Sequence, residues 1–254
     1  MRFAEYFGVS PLHNPMDEEM QLIADAIADH VQDSGLVLDE MRDCHILRDE
    51  RGTRPHFREV YNVPVIIIRD LERGDDRLAA IVYELAQEMG HYFINMNDPT
   101  PRSQINWIEE TICEAMSVYF LRWFADNWSS LDIAEKYPHY AATMDAYARR
   151  YEDKRSARPE AERLSNVDLA GLVRINAACT VDRDFRTDEI AALAKVMDQK
   201  SFAGLLIYKD YAPVTGQNNL LMPAWPTWQK EFPDNAAVQY ICGLCKTILE
   251  RGNQ

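Results

Sequence analysis

Met20, Ile23, Ala24, Ile27 and Val31 recur at the spacing of a helix buried along one face. Asn14-Pro15 followed by Asp17, Glu18 and Glu19 supplies a cap, a first-turn proline and an acidic first turn, and Gly35 is placed to end the helix near Ser34. From Leu36 to Leu71 the apolar runs shorten and are broken by Arg51-Gly52 and Pro55, which predicts a small sheet from Cys44–Arg48, Phe57–Tyr61 and Val63–Arg69. Pro64 has no amide proton to give a ladder. It makes the last strand an edge strand or sits at its start.

Helical spacing then returns. Leu78, Ile81, Val82, Leu85, Met89 and Phe93 form one stripe, predicting a helix from about Asp75 to Asn95, and Asn97-Asp98-Pro99-Thr100-Pro101 interrupts it. A second long helix, about Ser103 to Asn127, is apolar on most sides and reads as buried. Further helices begin near Pro138, Pro159, Asn166, Thr187 and Asn235. The charged stretch Glu152 to Arg163 reads as a solvated connection. It divides the chain into a sheet-plus-helix part, 1–152, and a helical C-terminal part, 153–254, which either stands apart or continues the first. The fold class is therefore α+β, mostly helical, with a small N-terminal sheet packed on two long helices. Trp123, Phe124 and Trp128 read as core, while Trp225, Trp228 and Phe232, set among prolines, suit a packed irregular segment or a cleft lining.

Charge narrows the function. The 254 residues carry 27 Lys and Arg against 41 Asp and Glu, a net −14 with no basic cluster, which argues against nucleic acid as a partner. An anionic membrane surface would repel such a chain, and no apolar run approaches the roughly 20 residues of a membrane-spanning helix. The stretch from Met1 to Leu12 lacks the apolar core of a secretory leader. Five scattered cysteines do not form a disulfide framework, so a reducing cytoplasm is expected. Cys242 and Cys245, a lone CxxC beside Ile241 and Ile248, read as core residues.

Chemistry concentrates on the two long helices. At about 100° per residue, Glu84, Gln87, Glu88 and His91 share one polar stripe of the first. On the second, Glu110 and Glu114 share a face with Trp107, Ser117 and Leu121. Carboxylates on a mostly apolar helix need a cation, hydrogen bonds or a metal, because burying them ionised and alone is too costly.

Gln87-Glu88-Met89-Gly90-His91 is the zinc-peptidase pattern HExxH with Gln in place of the first His, and eighteen residues separate His91 from Glu110. The stretch from about 60 to 125 thus resembles the gluzincin metallopeptidases, in which two histidines one turn apart and a glutamate from a second helix hold zinc. The resemblance implies Gln87 and His91 at the two imidazole positions, Glu110 as third ligand, Glu88 as general base and Glu114 as a residue that orients a ligand. The strand Val63–Arg69 would then correspond to the edge strand that family members run along the substrate cleft. Gln87 is the departure: a neutral amide oxygen is a poorer zinc donor than imidazole, and without tightly held zinc no water is poised for Glu88 to deprotonate.

The expectation is a zincin-like metallopeptidase homologue with a weakened or lost zinc site, capable of metal-dependent hydrolysis of a peptide or protein only if that site still functions. Two rivals stand beside it: a non-catalytic module that holds a peptide or protein in the same cleft, and a helical protein with no metal site. His45 or His56 on the sheet could supply the missing imidazole. An oxyanion donor would come from His139, Tyr137, Tyr140, Tyr208 or Tyr211, none of which its spacing singles out.

Overall fold

The computed structural model describes residues 13–15, 18–36, 44–49, 54–60, 63–69, 74–96, 105–213 and 221–252. Four strands, β1 (His13–Pro15), β2 (His45–Asp49), β3 (His56–Val60) and β4 (Val63–Arg69), form one sheet in the order β1-β2-β4-β3. β4 runs parallel to β2 and antiparallel to β3, and β1 is antiparallel to β2. Its Pro64–Ile68 run is buried throughout, as suits a strand covered on both faces. β4 is therefore interior, and the edge position expected for it belongs to β3. Pro64 fits because the β2 ladder begins only at Val65, so the proline is opposed by Glu59 of β3 alone. Asn14 and Pro15 do not start the first helix either. They pair with Arg48 and Leu47 in β1, while Asp17 and the interruption at 97–101 lie outside the described residues.

α1 (Glu18–Gln32) packs on α2 (Arg77–Met96), and α2 lies against β3 and β4 and against α3 (Asn106–Asn127). At the start of α2 the Tyr140 hydroxyl accepts a hydrogen bond from the Leu78 N–H at 3.0 Å, satisfying one of the donors that a helix start leaves open. The α2–α3 approach is close. A Cβ at Gly90 would stand 3.0 Å from both Cys113 Sγ and Met116 Sδ, and the Ser117 hydroxyl donates across to the Tyr83 carbonyl at 2.8 Å. α3 is buried on nearly every side, with α5 (Ala141–Glu152), α6 (Leu169–Ala178) and α7 (Thr187–Val196) around it. Short α4 (Ile133–Lys136), α8 (Ser201–Leu205) and α9 (Trp225–Glu231) and the terminal α10 (Ala236–Gly252) complete the helices. One buried cluster runs from Met20 to Ile248. The architecture is thus α+β and mostly helical. Among the described residues no helix is long and apolar enough to cross a membrane.

Two stretches differ from the sequence expectation. Trp225–Glu231 is helical rather than irregular because Pro226 falls in a first turn, where its missing N–H costs nothing, and Trp228 is buried with its indole N–H on the Gly204 carbonyl at 3.1 Å. The charged stretch after Glu152 is not merely solvated. The Ser156 hydroxyl donates to the Asp184 carbonyl, Arg158 pairs with Asp182, and Arg163 reaches Asp188 at 3.0 Å, so these contacts pin it to the first turn of α7 and the segment before it.

Candidate functional site

His91 and Glu110 meet. Glu109 and Glu110, one residue apart on α3 and so about 100° apart around its axis, flank the imidazole. Nδ1 lies 2.9 Å from Glu109 Oε1 and Nε2 lies 3.9 Å from Glu110 Oε1. Behind His91 the hydrogen bonding is complete. Glu109 Oε1 also accepts from Asn95 Nδ2 at 3.1 Å, Oε2 accepts from the Tyr208 hydroxyl at 2.8 Å, and Lys209 Nζ stands 3.7 Å away while donating to Asn95 Oδ1 at 2.6 Å. Burial alone would disfavour the charged carboxylate, but His91, Lys209 and Tyr208 together hold Glu109 down to about 2. Burial likewise opposes a charge on His91, yet the adjoining Cys113 and Glu109 raise it well above the usual imidazole range. Glu109, the residue that orients His91, was not singled out in the sequence. The pointer to it was the need of a second buried carboxylate on an apolar helix for partners.

Glu114 occupies a different place from the one expected. Instead of orienting a ligand, its Oε1 accepts from Arg186 Nη2 at 2.8 Å, with Arg183 Nε at 3.6 Å. Arg186 is wholly buried and also donates to the Cys179 carbonyl at 2.7 Å. Arg183 reaches the Tyr83 hydroxyl at 3.0 Å through Nη1 and Gln87 Oε1 at 3.2 Å through Nη2. An arginine only donates, so the amide oxygen of Gln87 is the atom turned to it. The oxygen that would replace the first imidazole of the pattern is thus spent on a guanidinium.

Glu88 is 3% exposed. Burial pushes its carboxyl up to about 7, with His91 and the Phe57 N–H of β3 countering and Glu110 adding to the rise. The edge strand therefore runs beside Glu88, a relation the sequence assigned to the wrong strand. Burial also raises Glu110, against the pull of His91 and Arg186. Glu84, on the same stripe, accepts from the Arg69 N–H at 3.1 Å and pairs with the Arg69 guanidinium, which ties α2 to the end of β4.

Other expected participants are engaged elsewhere. Tyr137 donates to Glu19 at 2.9 Å, Tyr211 donates to Glu231 at 2.5 Å, Tyr140 caps α2, and Tyr208 stands behind His91 rather than beside Glu88. His139 is exposed, and His56 turns Nδ1 to the Arg54 carbonyl at 2.9 Å. All five cysteines are buried and free.

Among the described residues a zinc ion would find only part of a donor set. Two ligands at tetrahedral angles on zinc stand about 3.4 Å apart, so His91 Nε2 and Glu110 Oε1 at 3.9 Å are near a shared grip. Among the described residues no third donor joins them. Gln87 is neutral and committed to Arg183, and among the described residues no three His, Cys, Asp or Glu side chains are grouped to hold a metal ion. Comparison of the chain with protein-family models, curated proteins and solved structures finds no match.

Proposed function

We propose that the protein is a zincin-like homologue of the gluzincin metallopeptidases whose metal centre has eroded, so that it does not hydrolyse peptides through a zinc-bound water. One observation carries this reading. His91 keeps the pose of a ligand, with Nδ1 held by a carboxylate and Nε2 turned to Glu110, while Gln87, one turn earlier, gives its oxygen to Arg183. A carboxylate behind a histidine is the usual means of fixing a metal-bound imidazole. A cation facing the neighbouring donor is a means of keeping a metal out.

The β3 edge beside Glu88 favours a second reading, the holding of an extended peptide without cleavage, since an edge strand presents backbone groups to an added strand wherever, unlike the Phe57 N–H on Glu88, they are not already taken up. Glu88, mostly protonated below neutrality, has no poised nucleophile to serve in either case.

Metal content of the purified protein, of Gln87→His and of Gln87→His/Arg183→Gln tests the reading. The parent should carry no stoichiometric zinc, the single variant should gain it weakly, and the double variant should bind at least about tenfold more tightly than the single, the scale on which groups around a ligand alter affinity. One equivalent of zinc in the parent would mean a competent site. Absence of zinc from all three would make the motif a coincidence.

A further inference from the structure

Arg183 and Arg186, close in the chain, are bonded in opposite ways. Arg186 is wholly buried, where solvent cannot serve it, yet its Nε and Nη1 have no hydrogen-bond partner. The Arg183 side chain is 44% exposed, where solvent could serve it, yet each of its nitrogens faces a different protein acceptor. Nη1 donates to the Tyr83 hydroxyl at 3.0 Å, Nη2 donates to Gln87 Oε1 at 3.2 Å, and Nε stands 3.6 Å from Glu114 Oε1.

The acceptors account for this convergence, not the arginine. Tyr83 and Gln87 lie one turn apart on α2 and Glu114 lies on α3, all of them buried, and the close packing of those helices at Gly90 and Ser117 fixes their separation. Arg183 arrives separately, from the link between α6 and α7. That link is anchored on both sides of it, since Asp182 pairs with Arg158 and the Asp184 carbonyl accepts from the Ser156 hydroxyl. Only the side chain would have to leave to uncover the acceptor oxygens. Buried acceptors stripped of a donor are costly, so they would then draw in another.

A hydroxyl, an amide and a carboxylate spread to meet the nitrogens of one planar group suit a guanidinium. An ammonium is a compact point charge, and a metal ion needs its donors on one centre, whereas among the described residues no three metal-binding side chains are so grouped. We propose that Tyr83, Gln87 and Glu114 form a socket for an alkylguanidinium, such as an arginine side chain, and that Arg183 fills it as a ligand supplied by the chain itself. The proposal rests on the reading above for the cleft beside the socket, not for the socket. A tethered group acts at an effective concentration on the order of millimolar, so Arg183 keeps more dilute guanidinium groups out.

Isothermal titration of Arg183→Ala with ethylguanidinium tests it, with ethylammonium as control. The variant should bind ethylguanidinium saturably and at least about tenfold more tightly than the parent does, the tether no longer competing. Ethylammonium should bind the variant far more weakly. Adding Tyr83→Phe or Gln87→Leu should weaken the guanidinium about fivefold each, the scale of one neutral hydrogen bond. Tighter binding of Nα-acetyl-arginine N-methylamide than of ethylguanidinium would assign the socket to a peptide arginine, and the reverse order to a free guanidine. Absence of saturable binding by the variant at millimolar concentration, equal binding by the parent, equal binding of ethylammonium, or indifference to both added substitutions would overturn the proposal. A second measurement needs no variant: magnetic resonance of the parent should show separate Arg183 Nη signals, because fixed acceptors hinder rotation about Cζ–Nε. Averaged signals, as of a freely hydrated arginine, would overturn the proposal even if Arg183→Ala failed to fold. No metal enters either experiment, so their failure is distinct from that of the zinc measurements on Gln87→His.

Discussion

Gln87 and His91 stand one turn apart on α2, yet their surroundings differ in kind. Around His91 the partners are mostly buried: Glu109 takes the ring N–H, and Asn95, Tyr208 and Lys209 turn to what remains of Glu109. Around Gln87 the partner is a half-exposed arginine carried in from a loop before α7. One half of the pattern is thus built into the core, and the other is an adjustable contact at its margin. A site can lose its first ligand without disturbing the hydrogen bonds that hold the second, because Gln87 and His91 have no hydrogen-bond partner in common.

The largest expected effect breaks the buried half. Glu109→Ala removes the acceptor shared by His91, Asn95 and Tyr208 and leaves Lys209 without its carboxylate, and should cost about 3–5 kcal/mol in denaturant unfolding, as breaking a buried ion pair does. A loss below about 1 kcal/mol, the scale of an exposed pair, would show that the network adds little and that the two halves are alike. Glu88, between them, gives a pH signature. Its folded pKa, about 7, lies above the ordinary 4.5, so its contribution to stability is complete below 4.5 and is lost as pH rises through 7. Glu88→Gln should therefore match the parent at pH 4 and exceed it at pH 8 by about 3 kcal/mol, one pKa unit being about 1.4 kcal/mol. Unfolding curves that differ equally at both pH values would refute the assignment. The smallest effect belongs to the adjustable half. Arg183→Gln should change stability by less than about 1 kcal/mol, since its pairings are partly in water. A loss as great as that of Glu109→Ala would erase the contrast.

The helices were legible in the sequence because their apolar stripes are long and regular, and His91 and Glu110 because a fixed spacing placed them on two neighbouring helices. β1 was not, being three residues whose Asn-Pro also reads as a helix start. Glu109 was hidden by its neighbour Glu110, since a pattern that names one ligand says nothing of the residue beside it. Arg183 and Arg186 lie 96 residues beyond Gln87 and 72 beyond Glu114, in a loop with no period to read. What could be read was the demand for them, since a carboxylate at Glu114 buried on an apolar helix requires a cation from somewhere. Trp123 misled for a related reason: aromatic spacing does not tell a residue inside the core from one at the rim of a cleft.

Gly90 gives the pair of motif helices a dimension that their polar residues do not set. With two sulfur atoms 3.0 Å from where its side chain would begin, the distance between the rods is gauged by Cys113 and Met116, both deformable, the first of them also adjoining His91. The calibre of any opening between His91 and Glu110 is therefore set in part by soft filler, and evolution could retune which ion, proton or side chain fits there by exchanging Met116, leaving each charged group in place.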